Sequence, residues 1–331
     1  MSRPDFTASE PLDKRYELVL LFDVQNGNPN GDPDADNAPR VDPETGNGLV
    51  TDVCIKRKIR NYVGLTRGFA APHNIFVKER GILANVQRDA HHVLGIEPDG
   101  KSIDKARSYM CQNYYDVRAF GAVMTTGKAE SEADAEVNKG KKPKGATKLW
   151  NCGQVRGPVQ FGFATSIDPV MSIAHTITRV ALTNATDAGQ QAVTGEDGED
   201  RAGSGQIGRK HGIPYGLYRM HGFISPFLAT DTGFTKADLG VLLESLEHLF
   251  DHDRSASRGE MSVRGLFLFE HELKLGNAPA HKVLETVQIG HVKAARHFSD
   301  YEPHLTAPED GTQPLPGVTC SGATHIKLQV I

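Results

Sequence analysis

The sequence predicts an α+β chain on a βαββαβ plan, the ferredoxin-like or RRM-type arrangement, interrupted by large insertions. Three observations predict it. A nearly continuous apolar run, YELVLLFDV (16–24), is followed after a loop by a helix-periodic segment at 51–65. A leucine-rich amphipathic segment at 235–253 lies between two strand-like runs, LYRMHGFIS (217–225) and VRGLFLFEHEL (263–273). Between these halves stand a mixed helical stretch and a long Gly/Asp/Glu-rich arm, both too large for simple connections.

Taken in order, residues 15–24 read as a strand buried on both faces, because polar residues hardly interrupt the apolar ones. The loop NGNPNGDPDADNAPR (26–40) follows. In the helix at 51–65, Thr51 suits the N-cap and Asp52 the positive end of the dipole. Its apolar stripe is Val53, Ile55, Ile59, Tyr62 and Val63; Lys56, Arg57 and Arg60 lie off it, and Lys56 and Arg60 stack four apart. Residues 66–115 read as a helical insertion, with ILANVQRDAHHVLG and SIDKARSYMCQNYY as helices. DVRAFGAVM (116–124) reads as a short strand and QVRGPVQFGFATS (154–166) as an alternating one. Between them, 125–148 carries too little apolar surface to offset its ordering entropy and is expected to be mobile. Residues 169–216 alternate Ile, Thr and Val and then dissolve into Gly, Asp and Glu, which predicts a projecting hairpin arm. HIKLQVI at the C-terminus reads as a last strand. The domain plan is therefore 15–65 and 217–331 as the two halves of one body, with 66–115, 116–168 and 169–216 between them.

The formal net charge is −4 and the mean hydropathy −0.39, so a bulk basic signal for nucleic acid is absent. Charge is segregated, however. CIKRKIRNYVGLTR and GKKPKGATK are basic, whereas residues 1–50 are acid-rich. Charges beyond roughly 8–10 Å are screened at physiological salt, so a basic groove is compatible with a slightly acidic chain. The four cysteines, Cys54, Cys111, Cys152 and Cys320, are scattered and read as reduced thiols of a cytoplasmic protein. No stretch approaches a membrane span, and the N-terminus has no secretory h-region.

Several chemical motifs fail on inspection. Asp32, Asp34 and Asp36 alternate as in a calcium loop, but Asn37 stands where the loop needs Gly and Pro43 where it needs Glu. GSGQIG (203–208) lacks the flanking strand and helix of a dinucleotide site and reads as a hairpin tip. His248 and His252 are spaced i,i+4, yet Glu247 precedes the first histidine and the zincin order is missing. No metal or cofactor is expected. The RNA-stacking signature of an RRM is also out of register: Arg156-Gly157 and Phe161-Gly162-Phe163 do not fall in one motif. What remains is the basic helix beside an Asn/Gly loop. There, lysines, arginines and the amides of Gly27, Asn28, Asn30 and Gly31 can hold phosphates without reading bases.

Residues 16–63, from YELVLLFDVQNGNPNG to TDVCIKRKIRNYV, resemble the signature of the CRISPR-associated backbone subunit of Cascade, type I-C, a member of the RAMP superfamily. DVRAFGAVM, VRGPVQFGFATSIDPV, HTITR and GIPYGLYRMHGFISP resemble the family's later blocks, so that the likeness spans about 15–275. The resemblance implies an RRM-like palm, a helical finger insertion and a β-hairpin thumb. It also implies several copies polymerising along one CRISPR RNA, with target DNA read by guide pairing, other Cascade subunits alongside, and cleavage left to a recruited helicase–nuclease. Carried over, it places Asn26, Asn28, Asn30, Lys56, Arg57, Arg60 and Lys58 on the guide backbone. Arg118, Arg156 and Gln160 become palm contacts and His175, Thr176 and Arg179 thumb contacts; Arg209, Lys210 and His211 are expected at the thumb tip, against a neighbouring copy or the target. The expectation is a non-catalytic RNA-binding subunit. Type III backbone subunits of similar fold cut RNA through a loop aspartate and a divalent metal, so Asp32, Asp34, Asp36 and Asp42 keep a ribonuclease open as the alternative. A stand-alone RRM-like RNA chaperone is the third reading.

Overall fold

The structure is a computed structural model that describes residues 6, 9–98, 101–125, 150–179, 206–320 and 324–325. Strand β1 (Tyr16–Gly27) runs through the centre of the main sheet. Strand β2 (Asn47–Val50) leads into helix α1 (Asp52–Thr66), and α2 (Leu83–Leu94) and α3 (Ile103–Asn113) form the insertion. Helix α4 (Tyr115–Phe120) precedes the short strands β3 (Gly121–Val123), β4 (Gln154–Arg156), β5 (Val159–Phe161) and β6 (Ala164–Pro169). Strand β7 (Ile173–Arg179) pairs with the start of the long β8 (Gln206–Ile224). Helices α5 (Pro226–Thr232) and α6 (Lys236–Glu247), strand β9 (Glu260–His271), helix α7 (Ala280–Leu284) and strand β10 (Val318–Cys320) complete it.

The order β9–β1–β8, with β5 and β6 on the outer side of β8, is antiparallel throughout. In terms of the βαββαβ plan this is fourth, first, third, second, the ferredoxin-like order. On one face Leu18, Leu20, Phe22 and Val24 meet Ile55, Ile59 and Val63 of α1 and Leu239, Leu242 and Leu246 of α6. On the other, Val19 and Leu21 meet Phe267, Phe269, Val283, Leu284, Val287 and Val318. Burial on both sides is why the apolar run of β1 is nearly continuous, each such side chain contributing about 1.5–3 kcal/mol. An RRM leaves this second face open to RNA. Here the C-terminal segment covers much of it: Arg219 donates to the carbonyls of Leu284 (2.6 Å) and Val287 (2.8 Å), and Tyr301 donates to Asp168 (2.6 Å).

The insertion has its own small core of Phe76, Ala90, Ala106, Met110 and Cys111, completed by Val117, Cys152 and Val155. All four cysteines are free thiols, and burial pushes Cys152 up to about 11. Among the described residues no helix is long and apolar enough to cross a membrane.

Four expectations change. Of the strand expected at 116–124 only 121–123 is extended, and 116–120 are helical; every residue of α4 is buried, which erases the amphipathic period that marks a helix. Residues 154–166 form three short strands, broken around Pro158 and at Gly162. Arm and palm share one uninterrupted strand, β8, so no break falls at 216. In α1, Val53 is 63% exposed and Lys58 takes the buried position in its place. The mobile stretch expected at 125–148 lies outside the described residues except for residue 125, as do 180–205 of the arm and most of the C-terminal strand expected at HIKLQVI; of the glycine-rich hairpin tip expected at 203–208, residues 206–208 are described and lie within β8, paired with 177–179.

His221 on β8 accepts a hydrogen bond from Arg219 Nε (2.8 Å), and burial together with that guanidinium lowers its pKa to about 4. The unfolded chain takes up this proton below the ordinary value of 6.5 while the folded chain does not. Stability therefore falls as pH drops from 6.5 towards 4, and denaturant midpoints across that range should flatten in His221→Gln.

Candidate nucleic-acid interface

Three segments converge at one end of the sheet. The first is the end of β1 with its loop, 26–31. The second is the turn before β9, brought there by the register Gln25↔Glu260. The third is the root of the arm, brought by Gly27↔Ile213. Loop and turn are locked backbone to backbone: Asn28 N donates to Ser257 O (2.8 Å), and a Cβ on Gly27 would stand 1.8 Å from the Arg258 carbonyl oxygen. Gly259 holds the turn with φ +63°, and a Cβ there would stand 2.4 Å from the Gln25 carbonyl oxygen. Asn26 is exposed in the left-handed region (φ 51°), which asparagine tolerates better than most residues.

A cleft of about 310 Å³ lies between the loop and the turn, beside the start of α1, lined by Asn28, Asn30, Cys54, Ser255, Ser257 and Arg258, among others. Asn28 Nδ2 donates to Asn37 O (2.7 Å), and among the described residues Asn28 Oδ1 has no partner. Asn30 Oδ1 accepts from both Thr51 N and Thr51 Oγ1 (2.9 Å each), and Thr51 Oγ1 in turn accepts from Cys54 N at the start of α1. Asn30 thus ties the loop to the helix cap. Asn30→Ala should cost about 1–2 kcal/mol in a urea titration, and Asn30→Asp, which keeps the acceptor, should recover most of it.

Cations gather at this end. Asp253 is shared by two cations, Lys58 and Arg258 (3.1 Å to Nη1), so the trio carries net positive charge. Arg254 is exposed, and among the described residues it has no carboxylate partner. On the arm root, Lys210 pairs across with His175 and Arg209 with Thr176. Facing residues share a face of the ribbon, so the two strands present cations on both sides. His175, Thr176 and Arg209 are exposed and Lys210 half-buried.

A family model described as CRISPR-associated protein Cas7 matches residues 14–306. The chain belongs to the CRISPR-associated Cas7 family. The CRISPR-associated protein Cas7 of Haloferax volcanii is 27% identical over 292 residues, covering 83% of this chain and 75% of the relative. Among solved structures, a chain of a pre-nicking CRISPR RNA-guided surveillance complex aligns with a TM-score of 0.46 and 13% identity, covering 86% of this chain and 84% of that one. A chain of a second CRISPR RNA-guided surveillance complex aligns at 0.39 and 12%, covering 77% and 68%.

In this Cas7 chain the basic helix is not a free cationic face. Lys56 pairs with Asp52 (3.0 Å) and lies 5.7 Å from the Phe120 ring centroid. Arg60 donates to Asp116 (2.8 Å) and lies over the same ring. Lys58 is buried against Asp253 and the Phe250 ring, and burial lowers its pKa. Only Arg57, which donates to Val77 O (2.7 Å), keeps a charge with no carboxylate on it among the described residues. Arg118 is 5% exposed and saturated: it grips Asp238 with two bonds (2.7 and 2.9 Å) and donates to Cys111 O (2.7 Å). It holds helices together, which corrects its expected place as a palm contact.

Arg209, Lys210 and His211 lie at the root of the arm rather than its tip, paired with Thr176, His175 and Ala174. Arg179 pairs with Gln206 further out. Arg156 and Gln160 are elsewhere, at the opposite end of the sheet. Three carboxylates of the acidic loop are engaged separately. Asp32 caps a short turn and lies 3.3 Å from Arg40; Asp36 lies 3.5 Å from His211; Asp42 accepts from Glu44 N, which lowers its pKa. Among the described residues, no group of three or more His, Cys, Asp or Glu side chains is arranged to hold a metal ion. Arg254 and Arg258 escaped the sequence reading because they sit about 230 positions from the loop that they join, and only the β1–β9 register brings them together.

Proposed function

We propose that this Cas7 chain is a non-catalytic CRISPR RNA-binding backbone subunit of a type I-C Cascade complex, working in the cytoplasm. Copies of it line up along one guide, hold its phosphates, and leave target DNA to be read by guide pairing. Other Cascade subunits flank the filament, and a recruited helicase–nuclease cuts. The reading rests on the convergence of loop 26–31, the turn carrying Arg254 and Arg258, and the arm root carrying His175, Arg209 and Lys210. Arg57 and Asn26 extend the phosphate track on the loop side, Thr176 and Arg179 on the arm side.

Asp32, Asp36 and Asp42 each face a partner of their own, Arg40, His211 and the Glu44 amide, and this separation supports a binding role over a hydrolytic one. Fluorescence anisotropy with unrelated guide sequences tests the proposal. Affinities should agree closely and fall steeply with salt, with a log–log slope of about −0.7 for every phosphate engaged. A strong preference for one sequence, or a flat salt response, contradicts it. In the same samples RNA should stay intact with Mg²⁺. Metal-dependent cleavage abolished by Asp32→Ala, Asp34→Ala, Asp36→Ala or Asp42→Ala would establish the ribonuclease instead.

A further inference from the structure

A second cleft, of about 480 Å³, opens at the other end of the sheet; Arg15, Arg156, Gln160, Phe223, Phe227 and Lys274 contribute to its lining. Phe223 pairs with Glu17, near the start of β1, whereas Asn26 is near its end. At ~3.3 Å per residue the two sites are about 30 Å apart.

Strand alternation explains what the cleft presents. Gly222 and Ile224 turn towards the helix-side core, so Phe223 turns to the opposite face beside Glu17 and Gln160. That is the face on which an RRM stacks bases, and β8 is the third strand of the plan. The C-terminal cover leaves this corner open: Phe223 is 38% exposed, and Phe227 of α5 is 55% exposed. Two open phenyl rings in one cleft are a patch with a use rather than scattered surface apolar residues.

The surrounding charge is of one sign. The lining contains Arg15, Arg156 and Lys274 and no carboxylate. Arg15 is held rigidly: it donates to Leu275 O (2.8 Å) and pairs with the buried Glu17, which is hydrogen-bonded to His271. Asn277 N donates to His271 Nδ1 (2.8 Å), so the proton of His271 sits on Nε2 and is donated to Glu17. This network neutralises Glu17 and fixes the loop at 273–276 as one wall. Among the described residues Arg156 and Lys274 have no carboxylate partner. Gln160 Nε2 donates to Gly157 O (3.0 Å), which leaves its oxygen as an acceptor.

We infer that this cleft is a second nucleic-acid site, a platform on which single-stranded nucleic acid stacks bases on Phe223 and Phe227 and sets phosphates on Arg156 and Lys274. Rings beside cations, with one amide and no anion, match the chemistry of sequence-tolerant single-strand binding. The inference stands apart from the loop-and-arm site and does not depend on it.

The test uses the full chain saturated with guide RNA and then titrated with fluorescein-labelled dT₈ or rU₈, with photocrosslinking through 5-iodouracil versions. Both oligonucleotides should bind if stacking alone operates; preference for one identifies the kind of strand received. Crosslinks should fall on the peptides carrying Phe223 or Phe227. Phe223→Ala should weaken binding of the second strand about tenfold while Phe223→Tyr retains it, with guide retention unchanged in both. Arg156→Glu, at an exposed side chain, should give a comparable loss and a shallower salt dependence, which covers the case in which Phe223→Ala disturbs folding. Absence of a second bound strand, or binding indifferent to all these changes, overturns the proposal. So does altered self-association on sedimentation with no change in oligonucleotide binding, which would make the cleft a protein contact. Loss of guide binding alone would count against the loop-and-arm reading and leave this site standing.

Discussion

Arg118→Ala should destabilise the chain by about 3–5 kcal/mol, the usual cost of stripping one partner from a buried ion pair. The substitution strands the carboxylate of Asp238, itself buried, and leaves the Cys111 carbonyl without its donor. Asp238 also closes the capping box of α6 through Thr235, so the damage reaches the helix that backs the sheet. Because the guanidinium joins the insertion at Pro72 and Cys111 to the palm at Asp238, the two parts should loosen together. Arg118→Lys keeps the charge and loses the two-pronged grip, and should recover only part of the loss. Urea denaturation measures the difference, and RNA affinity per folded molecule should be unchanged. A loss below about 1 kcal/mol, as for a surface pair, would show that Arg118 is not the clamp described.

Neutralising the arm root should have the largest effect on binding. Arg209→Gln with Lys210→Gln removes two cations, one exposed and one half-buried, that belong to no core cluster. RNA affinity at physiological salt should fall about 10- to 100-fold, and the log–log salt slope should lose about 1.4, or 0.7 for each phosphate contact. Lys56→Gln makes the contrast, because Asp52 already occupies that ammonium. Its effect on affinity should be slight. Equal losses from the two variants would return the basic helix to the interface and remove the arm root from it.

The palm was legible because its signals are local. β1 is an unbroken apolar run, α1 has Thr51 as its cap, and α6 carries its leucines at helical spacing. Those three elements are enough to suggest the βαββαβ order that the sheet adopts. Helix α4 was illegible for the opposite reason: with Asp116 and Arg118 buried in ion pairs, its polar residues point inward and imitate a strand's alternation.

Charge was the least legible quantity. CIKRKIRNYV reads as a cationic face, yet Asp52, Asp116 and Asp253 come from the same helix, from α4 and from the turn before β9 to meet it. No pattern within the helix announces those partners. Conversely, Arg254 and Arg258 lie in an unremarkable turn, and acquire their place only through strand register. Arg156 and Gln160, expected beside the guide, lie at the far end, where the β5–β8 register sets Gln160 beside Phe223.

Assembly of several copies on one guide shows in the mass of the purified complex. Native mass spectrometry should find several copies of the chain on one short RNA of defined length, with bound copies lost from Arg209→Gln/Lys210→Gln and retained in Lys56→Gln. A monomer free of RNA at physiological salt, or one copy per RNA whatever its length, would contradict it.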